Sequence, residues 1–281
     1  QNYRVVVDCI NSSGAVAMPA LLRALGCQCE LINKKPNGHF AHNPEPLPGH
    51  LKELCQAVVE EKAQLGVAVD PDVDRLAFVS EDGSWFGEEY TLVAVADYIL
   101  QHKPGNTVSN LSSTRALRDV TERHGGTYYA SAVGEVNVVT EMKNRNAVIG
   151  GEGNGGIILP DLHYGRDALV GVAIFLTYMA KSGKMPTELR AGYPDYHMIK
   201  DKIPLRPDID VDGLLKKLEE RFKEEDYSTI DGLKIDFADG WVHLRKSNTE
   251  PIIRVYAEGE SPQAAQEFAA RMKNAASEFI Q

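Results

Sequence analysis

Short apolar runs recur along the chain, each followed by a polar turn and then by apolar residues at helical spacing. Val5-Val6-Val7-Asp8 reads as a buried strand, Asn11-Ser12-Ser13-Gly14 as a turn, and residues 19–25 as a helix closed by Gly26. The plan returns at Val108, which starts a short strand. It leads into the turn Leu111-Ser112-Ser113-Thr114 and a helix over 115–124 closed by Gly125-Gly126. Ser12 and Ser112 stand 100 residues apart, as do Gly26 and Gly126, so two landmarks repeat in one register. Each repeat then carries a strand–loop–strand. In the first, residues 65–69 and 76–79 flank a polar loop over 70–75. In the second, residues 147–149 and 157–159 flank a loop over 150–156. Helical patterns follow at 90–101 and 167–181.

Alternating strands and helices predict layered α/β units, with ligand loops at the ends of buried strands. Pro104-Gly105 separates the two repeats, and Gly192-Tyr193-Pro194-Asp195 begins a hinge. Beyond it the pattern changes. Residues 211–222 read as a charged amphipathic helix. Three short strands follow at 233–237, 241–244 and 252–257. A last helix starts at Ser261-Pro262 with the apolar stripe Ala265, Phe268, Met272, Ala276 and Phe279. The expected fold class is therefore α/β: two related layered α/β domains (1–104 and 105–197) followed by a smaller α+β C-terminal domain (198–281).

Length and charge narrow the function. A chain of 281 residues is long for one core, which suits two or three domains. The net charge of −10 argues against a nucleic-acid surface over the whole molecule but leaves room for a local basic pocket. No apolar stretch is long enough to span a membrane, and no signal peptide is visible. The four cysteines, Cys9, Cys27, Cys29 and Cys55, lack metal-site spacing and read as reduced thiols of a cytoplasmic protein. The chain opens with Gln1 and is in an apolar run by Val5, so it is expected to be a fragment with an upstream part.

Three loops carry candidate chemistry. In Asp70-Pro71-Asp72-Val73-Asp74-Arg75, three carboxylates at alternate positions after a buried strand call for a neutralising cation. A hard divalent ion such as Mg²⁺ suits oxygen ligands, and Arg75 is placed to hold an anion beside it. An EF-hand fits poorly, because Arg75 stands where that loop needs Gly and both flanks read as strands. In Gly150-Gly151-Glu152-Gly153-Asn154-Gly155-Gly156, the glycines admit close backbone approach, and Glu152 with Asn154 suits vicinal sugar hydroxyls. In Arg245-Lys246-Ser247-Asn248-Thr249-Glu250-Pro251, with Arg254 beyond, the donors suit a phosphate.

In this order the three loops resemble the α-D-phosphohexomutase superfamily: phosphoglucomutase, phosphomannomutase and phosphoglucosamine mutase. The resemblance covers essentially the whole chain and is most specific at Arg245 to Pro251. It implies a four-domain family in which this chain looks like domains two to four. Residue by residue, it implies that Asp70, Asp72 and Asp74 bind Mg²⁺ and that Arg75 contacts the reacting phosphate. Glu152 and Asn154 would hold sugar hydroxyls. Arg245, Ser247, Asn248 and Thr249 would grip the idle phosphate, with Arg254 in support. The implied reaction interconverts hexose 1-phosphate and hexose 6-phosphate through a phosphoserine, with a hexose 1,6-bisphosphate as intermediate or activator.

The chain departs from the pattern in places. Many members carry Ser at the Asn154 position, some carry His at the Gly156 position, and Val133-Gly134-Glu135 resembles a loop where many carry Lys. These positions bear on which hexose is preferred. The phosphoserine belongs to a Ser-His-Asn motif of the first domain. Here Ala41-His42-Asn43-Pro44 only looks similar and reads as a structural connection, so the nucleophile is expected in a missing N-terminal domain. Two alternatives compete: a haloacid-dehalogenase-type phosphotransferase using Asp70 as nucleophile, and a non-catalytic phosphosugar-binding module.

Overall fold

The valine run near the start of the chain is shielded on every side, as a central parallel strand must be. In the computed structural model, which describes residues 2–206, 209–247 and 250–280, that run forms β1 (Arg4–Asp8). After it come α1 (Gly14–Ala24), β2 (Gln28–Ile32), α2 (Lys52–Glu60), β3 (Leu65–Val69), β4 (Leu76–Ser80) and α3 (Glu88–His102). β1 pairs in parallel with β2 and β3, and β4 closes the sheet antiparallel to β3, giving the order β2-β1-β3-β4.

The second repeat has the same topology. β5 (Thr107–Asn110), α4 (Ala116–Arg123), β6 (Tyr128–Ser131), α5 (Glu135–Arg145), β7 (Ile149–Glu152), β8 (Gly156–Ile158) and α6 (Ala168–Ser182) build a sheet of order β6-β5-β7-β8. Its strands run in the same senses as their counterparts. A short helix, α7 (Pro186–Arg190), follows. The copies differ between their second strand and the next helix. Residues 132–134 suffice in the second copy, whereas the first uses residues 33–51. From that longer connection His42 reaches back to the end of β1. Its Nε2 lies 2.8 Å from the buried carboxylate of Asp8, and its Nδ1 lies 2.8 Å from the Asn43 carbonyl oxygen. Burial alone would lower the His42 pKa, but the two acceptors hold it above the ordinary value. His42 thus fastens the connection to the sheet.

Two local expectations shift. The first helix begins at Gly14, ahead of Pro19, because the N–H groups of Ala15, Val16 and Ala17 already bond to the carbonyls of Ser12 and Ser13. In the second repeat, Gly150 and Gly151 belong to β7 and not to the loop. A Cβ at Gly150 would lie 2.6 Å from the Val108 carbonyl oxygen, so only glycine lets β7 run this close to β5.

The two repeats share packing. Phe175 of α6 stacks on Phe78 of β4 with ring centroids 4.2 Å apart, and Phe86 meets Phe175 edge-on at 5.2 Å. The residues up to Pro194 consequently form one compact unit, and those from Asp195 form a second.

The second unit is built from β9 (His197–Pro204), α8 (Val211–Arg221), β10 (Asp226–Ser228), β11 (Leu233–Phe237), β12 (Gly240–Lys246), β13 (Ile252–Gly259) and α9 (Pro262–Ile280). Its antiparallel sheet has the order β10-β11-β12-β13-β9. Leu218 of α8 and Met272 and Ala276 of α9 pack with Ile235, Val242 and Val255 in one core. The three expected strands are present, joined by β9 and β10 at the sheet edges. Both edges are polar and only partly buried, so neither shows the apolar run that marks a strand in sequence.

All four cysteines are free thiols, and burial pushes the Cys9 thiol up to about 12. No helix among the described residues is long and apolar enough to cross a membrane.

Candidate functional site

The acidic loop is the connection between β3 and β4. Asp70 follows β3 directly and is buried. Its Oδ1 accepts from the backbone N–H of Asp74 at 3.0 Å and of Arg75 at 2.9 Å, which curls the loop around the carboxylate. Val73 takes a left-handed conformation with φ of 64°, which is costly for a β-branched residue and tightens the curl. One carboxylate oxygen from each of Asp70, Asp72 and Asp74 lies within 4.8 Å of the others. Burial, together with the charges of Asp74 and Asp72, pushes the Asp70 carboxyl up to about 7 against the pull of the backbone N–H groups. Asp74 Oδ1 is buried without a hydrogen-bond partner. Converging carboxylates with an unsatisfied oxygen fit a hard divalent cation. Arg75 is about one-third exposed, with Nε 3.7 Å from Asp70 Oδ2 and NH1 3.7 Å from Glu45 Oε1. Both contacts are long for hydrogen bonds, so the guanidinium keeps donors for an incoming anion.

The glycine loop is the topological counterpart of the acidic loop, joining β7 to β8. Glu152 ends β7 and is buried. Its Oε1 accepts from Asn110 Nδ2 at 2.9 Å and from Gly134 N at 3.1 Å, and its Oε2 from Arg166 NH1 at 2.7 Å. Asn154 Oδ1 accepts from Gly156 N at 3.1 Å and shapes the turn. The two loops abut. At Gly155, with φ of 82°, a Cβ would lie 1.7 Å from the Leu76 carbonyl oxygen at the start of β4. Gly155→Ala is therefore expected to cost about 2 kcal/mol or more in thermal unfolding, through both the clash and the backbone conformation. A melting curve identical to the parent's would refute this tight apposition.

Arg166 joins the loops. Its NH2 donates to Asp74 Oδ2, its NH1 to Glu152 Oε2, and its Nε lies 3.4 Å from Glu135 Oε2. The adjacent Asp167 caps α6, its Oδ1 accepting from Val170 N. The sequence carries no sign of Arg166, whose partner Asp74 lies 92 residues away.

The phosphate-type loop belongs to the second unit. Arg245 on β12 stands directly opposite Arg254 on β13, and Arg254 opposite Lys202 on β9. Directly opposed residues of antiparallel strands share a sheet face, so three cations line up in one row. Like charges in this position repel unless an anion joins them. Asp231 Oδ2 lies 3.8 Å from Arg245 Nε, and the Asp231 carbonyl accepts from His243 Nε2 at 2.6 Å. Burial pushes the His243 imidazole down to about 4, so it acts as a neutral donor fixing this turn. Ser247 is buried, and its Oγ accepts from Glu250 N at 3.3 Å. Asn248 and Thr249 lie outside the described residues. Lys202 is the member of the row that the sequence motif does not reveal, because it reaches the site only through strand pairing.

Three models of one family match the chain in order. They are the phosphoglucomutase/phosphomannomutase alpha/beta/alpha domain II over residues 1–83, domain III over 87–196, and the C-terminal domain over 206–275. A probable phosphoglucosamine mutase of Methanopyrus kandleri is 36% identical over 94% of this chain and 59% of its own length. A phosphoglucomutase/phosphomannomutase of Thermococcus kodakarensis is 38% identical over 94% of this chain and 58% of its own. The chain thus spans about three-fifths of the length of these curated relatives. A solved phosphoglucomutase/phosphomannomutase family protein from Burkholderia thailandensis shares the fold with a TM-score of 0.87 at 27% identity. That alignment covers 100% of this chain and 62% of the other. With consecutive domain matches, relatives above 30% identity and a shared fold in agreement, the chain belongs to the phosphoglucomutase/phosphomannomutase family.

Proposed function

We propose that this chain carries the metal, sugar and phosphate loops of a phosphohexomutase that interconverts hexose 1-phosphate and hexose 6-phosphate. The observation that carries the reading is the convergence of Asp70, Asp72 and Asp74 within 4.8 Å on a strand-end loop, with Arg75 beside them. These carboxylates would hold Mg²⁺, which when bound neutralises the transferring phosphoryl group. Arg75 adds charge from the protein side and orients the reacting phosphate. Glu152 and Asn154 hold the sugar hydroxyls, with Glu152 releasing a donor now bound to it. Arg245, Ser247 and Arg254, with Asn248 and Thr249, anchor the idle phosphate.

In this reading a phosphoserine supplied by a domain outside these 281 residues gives its phosphoryl group to one sugar oxygen. The resulting hexose 1,6-bisphosphate turns over, and its other phosphate returns to the serine. The seryl oxygen thus loses and regains one phosphoryl group per cycle. The three loops fall in the expected domains 1–104, 105–197 and 198–281. Neither alternative, the dehalogenase-type enzyme or the non-catalytic binding module, is favoured by relatives that are named as mutases.

Asp72→Asn is expected to weaken Mg²⁺ binding roughly tenfold by titration calorimetry, since one of three charges facing the cation is removed. An unchanged titration would show that the acidic loop is not the metal site. The purified 281-residue chain is expected to bind Mg²⁺ but to show no turnover in a coupled hexose-phosphate assay. Turnover with contaminating mutase excluded would place the nucleophile within the chain.

A further inference from the structure

Arg166 is the side chain at which the two loops of the first unit meet, and no step of the proposed reaction uses it. Asp74 comes from the first repeat, Glu152 from the second, and Glu135 from the start of α5. The Arg166 backbone N–H also donates to Glu135 Oε1 at 3.2 Å. Its side chain is only 15% exposed. A guanidinium this shielded needs its anions, because an unpaired buried charge is strongly destabilising.

Asp74 is claimed twice. One oxygen is taken by Arg166, and the other is buried without a hydrogen-bond partner. A divalent ion drawn to Asp70, Asp72 and Asp74 must share Asp74 with a cation the protein already provides. The two positive charges then repel across a few ångströms.

We propose that Arg166 is a positioning residue that ties the metal loop to the sugar loop. It is a built-in counter-cation that competes with the divalent ion for Asp74. As its hold on Asp74 weakens, its hold on Glu152 and Glu135 strengthens. The inference rests on the metal reading of Asp70, Asp72 and Asp74. It adds that metal occupancy is felt at Glu152 through one side chain, and by linkage that a change at Glu152 is felt at the metal.

The test is Mg²⁺ titration calorimetry on the 281-residue chain. Arg166→Gln is expected to tighten Mg²⁺ binding roughly fivefold or more, because a unit positive charge close to the ion is removed. Structural damage weakens binding, so a gain in affinity is not a folding effect. Arg166→Lys keeps a unit charge near the ion but loses the fork, so its Mg²⁺ affinity is expected to fall between those of the parent and Arg166→Gln. Glu152→Gln returns Arg166 to Asp74 and is expected to weaken binding about threefold, an effect that disappears in the Arg166→Gln background. Unchanged or weaker Mg²⁺ binding by a folded Arg166→Gln chain overturns the proposal and leaves the metal loop standing. No Mg²⁺ binding by the parent overturns the metal reading, and the proposal with it. If Arg166→Gln does not fold, the parent chain decides. The Arg166 Nε–H resonance, assigned by its loss in Arg166→Lys, is expected to shift as Mg²⁺ saturates, and a fixed resonance overturns the proposal.

Discussion

Replacing Asp97 with alanine is expected to lower the stability of the first unit by about 3–5 kcal/mol, the range for removing one partner of a buried ionic network. Asp97 lies on α3, buried, and its carboxylate gathers four side-chain donors. Oδ1 accepts from Arg123 NH2 at 3.0 Å and His124 Nε2 at 2.7 Å, and Oδ2 from the hydroxyls of Tyr178 at 2.8 Å and Tyr193 at 2.9 Å. These donors come from the end of α4, from α6 and from the residues after α7, so one carboxylate binds helices of both repeats. Alanine would leave the tyrosine hydroxyls and the His124 ring facing an apolar gap. Thermal and urea unfolding would read the loss, and a midpoint within error of the parent's would show that the network contributes nothing net.

The same carboxylate makes stability depend on pH. Burial alone would raise the Asp97 pKa, but the bonds from His124, Tyr178 and Tyr193 and the Arg123 charge bring it below the ordinary carboxylate value. With the folded pKa depressed, the stabilisation is present in full above the unfolded value of about 4 and is lost as pH falls through the folded value. Parent and Asp97→Ala chains should therefore converge in stability under acid conditions.

The second large effect is expected at the cation row. Arg245→Ala should raise the phosphosugar KM of the whole protein roughly tenfold or more, because each charge-assisted hydrogen bond contributes about 1.5–3 kcal/mol. Adding Ser247→Ala should raise it further by a smaller factor, since a hydroxyl brings no charge. Lys202→Ala, at the far end of the row, should show a weaker change in the same direction. If KM is unchanged in Arg245→Ala, the loop does not hold a phosphate.

Separation along the chain divides the features legible in the sequence from those that are not. The repeat was legible because strand–turn–helix is a local pattern, set by a few consecutive residues with Gly26 and Gly126 as stops. The acidic loop was legible for the same reason: Asp70, Asp72 and Asp74 are near neighbours, and three close carboxylates have few low-energy settings without a cation. The Arg245 to Pro251 motif is equally compact. The edge strands β9 and β10 were not legible, because a half-exposed edge needs no apolar run to pair.

Register alone put Lys202 opposite Arg254. Packing of one repeat on the other brought Arg166 to Asp74, and Asp97 to Tyr178 and Tyr193. The sequence by itself determined the repeated strand–helix plan and where the charged loops fall along it. Only the tertiary structure decided which buried charges meet, because a charge is neutralised by whichever partner the packing delivers, however far away that partner lies along the chain.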